Sequence, residues 1–379
     1  MIPLAIPNIS GNEGKYLQEC IDTNFVSTVG PFVTRLEEDV ARAANAKYAV
    51  SSCSGTAGLH LALTAVGVSR DDLVILPSFT FIASANAIAH CGALPWLFDV
   101  SRESWTLDPE QLKKELQYEA EKIDGHLIHK KTGRRVAAIM PVYTLGQPAD
   151  MDAIKEVAEQ YQIPVVADAA AALGSRYKGN NIGSLADLTV FSFNGNKTIT
   201  TGGGGMVVGD DENLLSLARH LSTTARVGAD YDHDKVGFNY RMTNLQAAVG
   251  CAQIERLDEF VSSKRRVDAE YQKALEDLRG IGFFPKPSWS ESACWFTGVL
   301  LKDTAEITVS EACEKLKEKG VGARTFWKPV HLQVPFKKAP KTTMDISESI
   351  WGKILTLPCS TQLSEDEQYR VITAVKEII

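Results

Sequence analysis

The sequence lacks the features that mark membrane, disulfide-rich and metal-binding proteins. No apolar stretch reaches the roughly 20 residues needed to span a bilayer, and residues 1–8 contain no basic region followed by an apolar run. The seven cysteines are scattered, odd in number and without the close pairs that hold zinc or an iron-sulfur cluster. We therefore predict reduced thiols, no metal site, no membrane contact and a cytoplasmic location.

Positive charge is also scarce. The chain has 40 Lys and Arg against 47 Asp and Glu, a formal net charge of −7. Nucleic-acid binding usually needs a clustered positive surface, so we expect no nucleic-acid partner. The triplet Lys264, Arg265 and Arg266 is an exception, which we interpret as a solvated face of a polar helix. Repeats and low-complexity tracts are absent as well.

What the chain does contain is an alternation of short apolar runs and amphipathic segments. The predicted strands are 48–51, 73–76, 94–99, 135–141 and 164–168, and the predicted helices are 55–66, 82–90, 109–122 and 151–162. Repeated strand-helix units imply a mostly parallel sheet that helices cover on both faces.

The pattern changes in the second half of the chain. Residues 245–278 are predicted as one long helix that ends at Gly280, and the remaining residues as a smaller α+β region. The polar stretch 119–135 is predicted as a solvent-exposed excursion. We therefore predict a large domain at residues 1–250 and a small domain at residues 251–379.

A single lysine follows a buried apolar strand near residue 190. Lys197 lies among small polar residues, with Ser192 before it and the glycines 202–205 after it. It is either a surface lysine at a strand end or an amine kept near neutrality by partial burial, which can form an imine with an aldehyde. Ser192 could bind a phosphate. The glycines either let the backbone approach a cofactor or form a hairpin turn.

Asp168 closes the predicted strand 164–168, at the end of an α/β sheet where functional groups usually lie. A pyridinium nitrogen would be a suitable partner, because the carboxylate would keep it protonated and the ring would act as an electron sink. Asp168 could equally cap a following helix.

Two more strand ends carry candidate binding residues. Gly55 and Thr56 open a helix directly after a strand, where backbone amides and the helix dipole suit a phosphate, although this is also an ordinary N-cap. Phe81 follows the next strand and either lies against a planar cofactor or packs in the core. A phosphate cradle, an aromatic ring, an aspartate, a serine and a lysine at the ends of one sheet are together more specific than any one of them.

These local sequences resemble a known family. The segments 54–57, 77–84, 168–170, 192–202 and 237–248 are similar to those of the DegT-type nucleotide-sugar aminotransferases, which are fold type I pyridoxal phosphate enzymes. The resemblance covers nearly the whole chain. It implies an α/β fold like that of aspartate aminotransferase: a mostly parallel, seven-stranded type of sheet sandwiched by helices, with a smaller C-terminal α+β domain.

The resemblance implies a role for each matching residue. Lys197 would bind pyridoxal 5'-phosphate as a Schiff base, Asp168 would pair with the pyridine nitrogen, and Phe81 would stack on the ring. Asn239 would reach the phosphate of the neighbouring subunit, which implies a homodimer with active sites at the subunit interface. Three residues would hold the phosphate of their own subunit: Gly55, Thr56 and Ser192.

On the substrate side, the resemblance implies that Arg324 and His331 line the sugar-nucleotide pocket. The chain departs from the family pattern at Ala171, where His, Gln or Glu is usual, and at Tyr143, where His is common. Neither departure removes the groups that would form the imine or pair with the pyridine nitrogen.

By resemblance, the chain is an aminotransferase that takes its amino group from glutamate. The closest branch aminates a UDP-linked 4-keto-6-deoxy-N-acetylhexosamine in bacillosamine and legionaminic acid pathways of bacterial surface glycans. A GDP-linked 4-keto sugar, as in perosamine synthesis, is the main alternative, and a non-catalytic sugar-nucleotide-binding or regulatory protein is another. Lys197 disfavours the dehydrating branch of the family, whose members have histidine at that position.

Overall fold

The computed structural model describes all 379 residues. None of its helices is both long and apolar enough to cross a bilayer. The twelve α-helices are α1 (Glu13–Asp22), α2 (Pro31–Ala44), α3 (Gly55–Ala65), α4 (Ile82–His90), α5 (Pro109–Glu119), α6 (Met151–Tyr161), α7 (Glu212–Ser222), α8 (Asn244–Ile254), α9 (Leu257–Leu275), α10 (Val309–Glu318), α11 (Asp345–Ile350) and α12 (Glu365–Ile378).

The strands vary from two to six residues in length. They are β1 (Tyr48–Ser52), β2 (Leu73–Pro77), β3 (Leu94–Phe98), β4 (Ala120–Ile123), β5 (His126–His129), β6 (Arg134–Ile139), β7 (Val166–Asp168), β8 (Arg176–Tyr177), β9 (Asn180–Asn181), β10 (Leu188–Ser192), β11 (Gly205–Gly209), β12 (Arg226–Val227), β13 (Asp232–His233), β14 (Ile281–Gly282), β15 (Ser290–Glu291), β16 (Thr297–Leu301), β17 (Arg324–Thr325) and β18 (Ile354–Leu357).

Seven strands form the central sheet, in the order β1-β11-β10-β7-β6-β2-β3. Strands β6 and β7 are joined by two parallel bridges, Ile139 with Val165 and Val142 with Asp168. Only β11 runs against its neighbours, since it pairs antiparallel with both β1 and β10. The predicted seven-stranded, mostly parallel sheet is therefore confirmed.

Helices cover both faces of this sheet, because alternate residues of its strands pack against helices on opposite sides. Successive residues of a strand point to opposite faces. In β10, Phe191 packs into one hydrophobic cluster with α2, α6 and α8, while Val190 packs into another with α3, α4 and α7. Continuous burial along β2 and β11 follows from the same cover.

A second, four-stranded antiparallel sheet forms from the C-terminal part of the chain, in the order β14-β16-β18-β17. It shares a hydrophobic cluster with α10, α12 and the second half of α9. In α9, Phe260 packs with the central sheet whereas Tyr271 packs with the C-terminal sheet. The division between residues 250 and 251 stays a prediction.

The predicted long helix over 245–278 is interrupted. Helix α8 ends at Ile254 and α9 begins at Leu257. Neither Glu255 nor Arg256 is a helix breaker by type, and the turn is held by contacts distant in sequence, with Tyr16 and Asn12 donating to the Glu255 carboxylate. The break therefore had no local sequence signal.

The predicted excursion at 119–135 is largely solvent-exposed, as expected, and it is an ordered antiparallel hairpin of β4 and β5 that continues into β6, where Ile128 pairs with Arg135. One expectation needs correction. The triplet that begins at Lys264 is only partly solvated, because the Lys264 side chain is 3% exposed. Its Nζ donates to the carbonyl oxygens of Trp295 and Cys359.

Gly298 tests the packing of the C-terminal sheet. It pairs with Thr356 in the β16-β18 ladder, and a Cβ at this position would collide with the carbonyl oxygen of Leu355. We expect Gly298→Ala to lower the free energy of unfolding by about 1–3 kcal/mol, measured by urea denaturation. Gly352→Ala is the control, since no atom lies within 4 Å of the added Cβ. Equal stability of the two variants would contradict the packing described.

Candidate active site

A cavity of about 470 Å³ lies at the carboxyl ends of β7 and β10, beside the first turns of α3 and α4. Its other wall comes from the C-terminal sheet and the segment before β16. Of the nine residues predicted for the site, seven line this cavity: Gly55, Thr56, Phe81, Asp168, Ser192, Lys197 and Arg324.

Asp168 is the last residue of β7 and is 5% exposed. Its Oδ2 accepts a hydrogen bond from Ser84 Oγ at 2.7 Å, and its Oδ1 accepts one from the backbone amide of Ala170 at 3.1 Å. Burial raises the pKa of the Asp168 carboxyl, while the two hydrogen bonds and the charge of Lys197 oppose the rise. No helix begins after Asp168, so the capping interpretation is wrong.

Ser84 extends this network behind Asp168. The residue lies in the first turn of α4 and is 1% exposed. Its hydroxyl also lies 2.8 Å from Thr80 Oγ1. Sequence reasoning missed Ser84. The available signal was its position in the first turn of a helix that begins beside the site at Phe81, where a hydroxyl can orient a strand-end carboxylate.

Lys197 is half-buried beyond the end of β10, in a turn where its amide donates to the carbonyl of Asn194. Burial lowers the pKa of the Lys197 ammonium to about 8, against the attraction of Asp168. Near neutral pH the uncharged, nucleophilic form of the amine is therefore far more populated than in an ordinary lysine. Lys197 faces the cavity, which fits the reactive-amine interpretation and not the surface one.

The start of α3 forms a cradle against β10 and β11. Ser54 caps the helix by accepting from the amide of Ala57, so the amides of Gly55 and Thr56 have no partner within the helix. A Cβ on Gly55 would lie 2.7 Å from Ser192 Cβ, and one on Gly205 would lie 2.8 Å from the Gly55 nitrogen. These two glycines allow the close approach, whereas Gly202, at φ +79°, makes the turn that precedes β11.

Aromatic residues form much of the remaining wall. Phe81 is 52% exposed and its ring lies 5.7 Å from that of Trp327, so the core-packing interpretation of Phe81 is wrong. Trp327 stacks on Phe326 at 4.3 Å and lies 5.7 Å from Trp295. The Lys197 ammonium lies 3.9 Å from the centroid of the Trp295 ring. Trp295 was not found by sequence reasoning, because nothing local marks it.

The two predicted substrate residues separate in the structure. Arg324, in β17, is exposed, lines the cavity and forms no salt bridge within the chain. His331 is 2% exposed and does not line the cavity. Its ring nitrogens lie 2.7 Å from Ser78 Oγ and 3.0 Å from a Glu348 oxygen. Direct contact between His331 and a substrate does not fit this position, because both nitrogens are engaged in the interior.

Asn239 also lies outside the cavity. Its side chain is exposed, and its backbone bridges Thr223. The two residues that depart from the family pattern, Ala171 and Tyr143, both line the cavity. The Tyr143 hydroxyl has no hydrogen-bond partner, and burial raises its pKa.

Comparison with known proteins gives one family. A model described as the DegT/DnrJ/EryC1/StrS aminotransferase family matches residues 7–376. EpsN of Bacillus subtilis, named as a pyridoxal phosphate-dependent aminotransferase, is 38% identical over 98% of this chain and 94% of its own length. The GDP-perosamine synthase of Caulobacter vibrioides is 37% identical over 100% of this chain and 98% of its own.

Solved structures agree. DesV of S. venezuelae has a TM-score of 0.86 and 30% identity, and the match covers 97% of this chain and 94% of that one. TlmJ of Streptoalloteichus hindustanus has a TM-score of 0.89 and 26% identity, over 100% of this chain and 98% of that one.

The residues of the cavity fit pyridoxal phosphate, the cofactor of this family. The cradle at Gly55 offers to a phosphate the amides of Gly55 and Thr56, which have no partner within α3. Asp168 offers a carboxylate to a ring nitrogen, and Lys197 offers an amine to an aldehyde. The cavity between them is closed on one side by the exposed ring of Phe81.

Gly55→Ala tests the cradle. The added Cβ would lie 2.7 Å from Ser192 Cβ and force α3 away from β10, which would displace the amides that face the phosphate. We expect the affinity for pyridoxal phosphate to fall about tenfold or more, equivalent to about 1.4 kcal/mol, measured by absorbance titration. Gly195→Ala is the matched control, since its Cβ meets no atom within 4 Å. An unchanged affinity in Gly55→Ala would contradict the cradle.

The reactivity of Lys197 should depend on pH in a defined way. Because burial lowers the pKa of Lys197 to about 8, its neutral form should grow as pH rises through about 8, well below the ordinary lysine value of 10.5. Trace acetylation of the cofactor-free protein, followed by peptide mass spectrometry at each pH, gives the midpoint. Surface lysines provide the internal reference, and a Lys197 midpoint as high as theirs would refute the effect of burial.

Proposed function

Since the chain belongs to the DegT/DnrJ/EryC1/StrS aminotransferase family, we propose that it transfers an amino group from glutamate to a nucleotide-linked 4-keto-6-deoxy sugar. We further propose that this sugar is a UDP-linked N-acetylhexosamine used in bacterial surface glycans. The observation that carries the aminotransferase chemistry is the pairing of Lys197 and Asp168 in one cavity, where the amine has a lowered pKa and the carboxylate is held by two donors.

Each of these side chains has a separate task. Bound pyridoxal phosphate supplies a carbonyl that receives the amino group and a ring that accepts electrons. Asp168 holds the proton on the ring nitrogen, with Ser84 Oγ donating to the carboxylate from behind. Lys197 Nζ anchors the cofactor and, once released as a neutral amine, carries a proton to and from the reacting carbon.

The substrate side of the proposal depends on the C-terminal wall of the cavity. Arg324 is an exposed guanidinium without a partner in the chain, and it suits the diphosphate that links sugar and nucleotide. The rings of Trp327 and Phe326 lie beside it and present an apolar surface to the sugar. We assign Arg324 and these rings to recognition of the sugar nucleotide, and leave His331 a structural role.

A GDP-linked sugar is the second candidate, because several relatives bear the name GDP-perosamine synthase. GDP-perosamine synthases of Caulobacter vibrioides, Vibrio cholerae and Escherichia coli O157:H7 are 37%, 33% and 34% identical to this chain over at least 99% of its length.

We also propose that the working unit is a homodimer with active sites at the subunit interface. Asn239 supports it, because this polar residue is exposed and does not line the cavity of its own chain. In a dimer it would donate to the phosphate bound at the Gly55 cradle of the other subunit.

The proposed reaction predicts the behaviour of one lysine variant. Lys197→Ala should bind pyridoxal phosphate without the absorbance of the lysine-bound form and lose turnover by at least about a thousandfold, because both the anchor and the proton carrier are absent. The assay combines enzyme and glutamate with UDP- and GDP-linked 4-keto sugars and detects the aminated product by mass. Lys178→Ala, which alters an exposed lysine paired with Asp152, is the matched control. Full turnover by Lys197→Ala would remove the assignment.

The same assay separates the two sugar nucleotides. A higher kcat/KM for the UDP-linked sugar supports the proposal, whereas a higher kcat/KM for the GDP-linked sugar replaces it with the second candidate. If pyridoxal phosphate binds but neither sugar is aminated, the protein is a non-catalytic binder of these nucleotides or acts on another substrate.

A further inference from the structure

Lys264 is a buried lysine that forms no salt bridge. Its side chain in α9 is 3% exposed, and its Nζ donates to the carbonyl oxygens of Trp295 and Cys359, each at 3.0 Å. The nearby carboxylate of Asp268, one turn further along α9, pairs with Lys286 instead. A buried ammonium is unfavourable unless it is well hydrogen-bonded. Here it ties α9 to two chain segments, one before β16 and one after β18.

Trp295 connects this ammonium to the active site. The residue is 2% exposed, and its indole Nε1 donates to the carbonyl oxygen of Asn196 at 2.6 Å. Its ring face lies under the Lys197 ammonium, with 3.9 Å between Nζ and the ring centroid. Phe296 packs against the same ring at 4.1 Å. The indole is therefore fixed through its main chain, its N–H and its flank.

We propose that Trp295 is a positioning residue for Lys197. Its indole N–H fixes the turn that carries the lysine, and its ring face holds the ammonium. Lys264 in turn fixes the main chain of Trp295. The inference rests on the proposed function to the extent that Lys197 is the reacting amine. It adds a residue from the C-terminal wall that controls where this amine lies when it is not bound to the cofactor.

The ring and its burial act on Lys197 in opposite directions. Exclusion of water disfavours the charged amine, whereas the negative face of an indole attracts it. Replacing Trp295 by an apolar side chain that still excludes water removes only the attraction. The pKa of Lys197 should then fall further below its value of about 8. If Trp295 merely kept water out, its loss would let water in and the pKa would rise.

Trace acetylation of the cofactor-free protein over a pH series measures this directly. We expect Trp295→Leu to lower the Lys197 midpoint by about one pH unit, the size that a desolvated cation-ring contact gives. Trp295→Phe keeps a ring face and loses the N–H, so its midpoint should fall less. In this variant the Lys197 amide should exchange its hydrogen faster, because the turn has lost the hydrogen bond that the Trp295 indole N–H donates to the Asn196 carbonyl.

Two further variants make the test specific. Trp327→Leu removes another aromatic side chain from the same cavity, and it should leave the Lys197 midpoint in place. Lys264→Met keeps an unbranched apolar chain but loses both carbonyl contacts, and it should move the midpoint downward as Trp295→Leu does. Should Lys264→Met fail to fold, as judged by thermal melting, the Trp295 variants decide alone.

An unchanged or raised midpoint in Trp295→Leu would overturn the proposal, as would an equal fall in Trp327→Leu. The readout needs neither cofactor nor sugar. The acetylation test is therefore independent of the amination assay. A failure to aminate the proposed sugar would not contradict the role of Trp295, and an unchanged Lys197 midpoint in Trp295→Leu would not contradict the aminotransferase assignment.

Discussion

The separation of Asp168 and Lys197 within one cavity is the constraint on which the rest of the site depends. The two side chains carry opposite charges, and each shifts the pKa of the other toward its charged form. They nevertheless form no direct salt bridge. A direct pair would neutralise both groups and fill the space between them. Kept apart, they leave room for a flat molecule that offers a basic nitrogen to one and a carbonyl to the other.

The parallel pairing of β7 and β10 produces this separation. Val190 is paired with Asp168, so β10 continues two residues beyond the point where β7 ends. The chain then makes a turn and returns Lys197 to the same edge of the sheet. Ser192 remains at the strand end, beside the first turn of α3. One sheet edge thus carries the phosphate cradle, the carboxylate and the amine, because neighbouring parallel strands end on the same side.

Local sequence was enough to predict features with local causes. Helix α4 was predicted to the residue, and the strand-helix alternation led directly to the sheet. Features that depend on distant contacts were missed. The break at Glu255 is held by Tyr16 and Asn12, and the burial of Lys264 depends on two main-chain carbonyls that no residue type announces.

The site residues divide in the same way. Those at strand ends, such as Asp168 and Ser192, were identifiable because strand ends are where a parallel sheet presents polar groups. Ser84 and Trp295 were not, since their importance comes only from the side chains they touch. His331 shows the converse error: it lies seven residues after Arg324 in sequence, yet the chain turns inward between them and seals the imidazole against Ser78.

The origin of the two cavity walls bears on how such a site can change its substrate. Every residue of this chain assigned to the cofactor precedes residue 240, in the part of the chain that forms the central sheet and its helices, whereas Arg324 and the rings of Phe326 and Trp327 come from the C-terminal part. The wall proposed to bind the sugar nucleotide can therefore vary without altering the cradle or the carboxylate. Trp295 is the exception, because it belongs to the C-terminal wall yet contacts the amine. A substitution there would disturb the chemistry as well as the sugar, so Trp295 limits how freely that wall can vary.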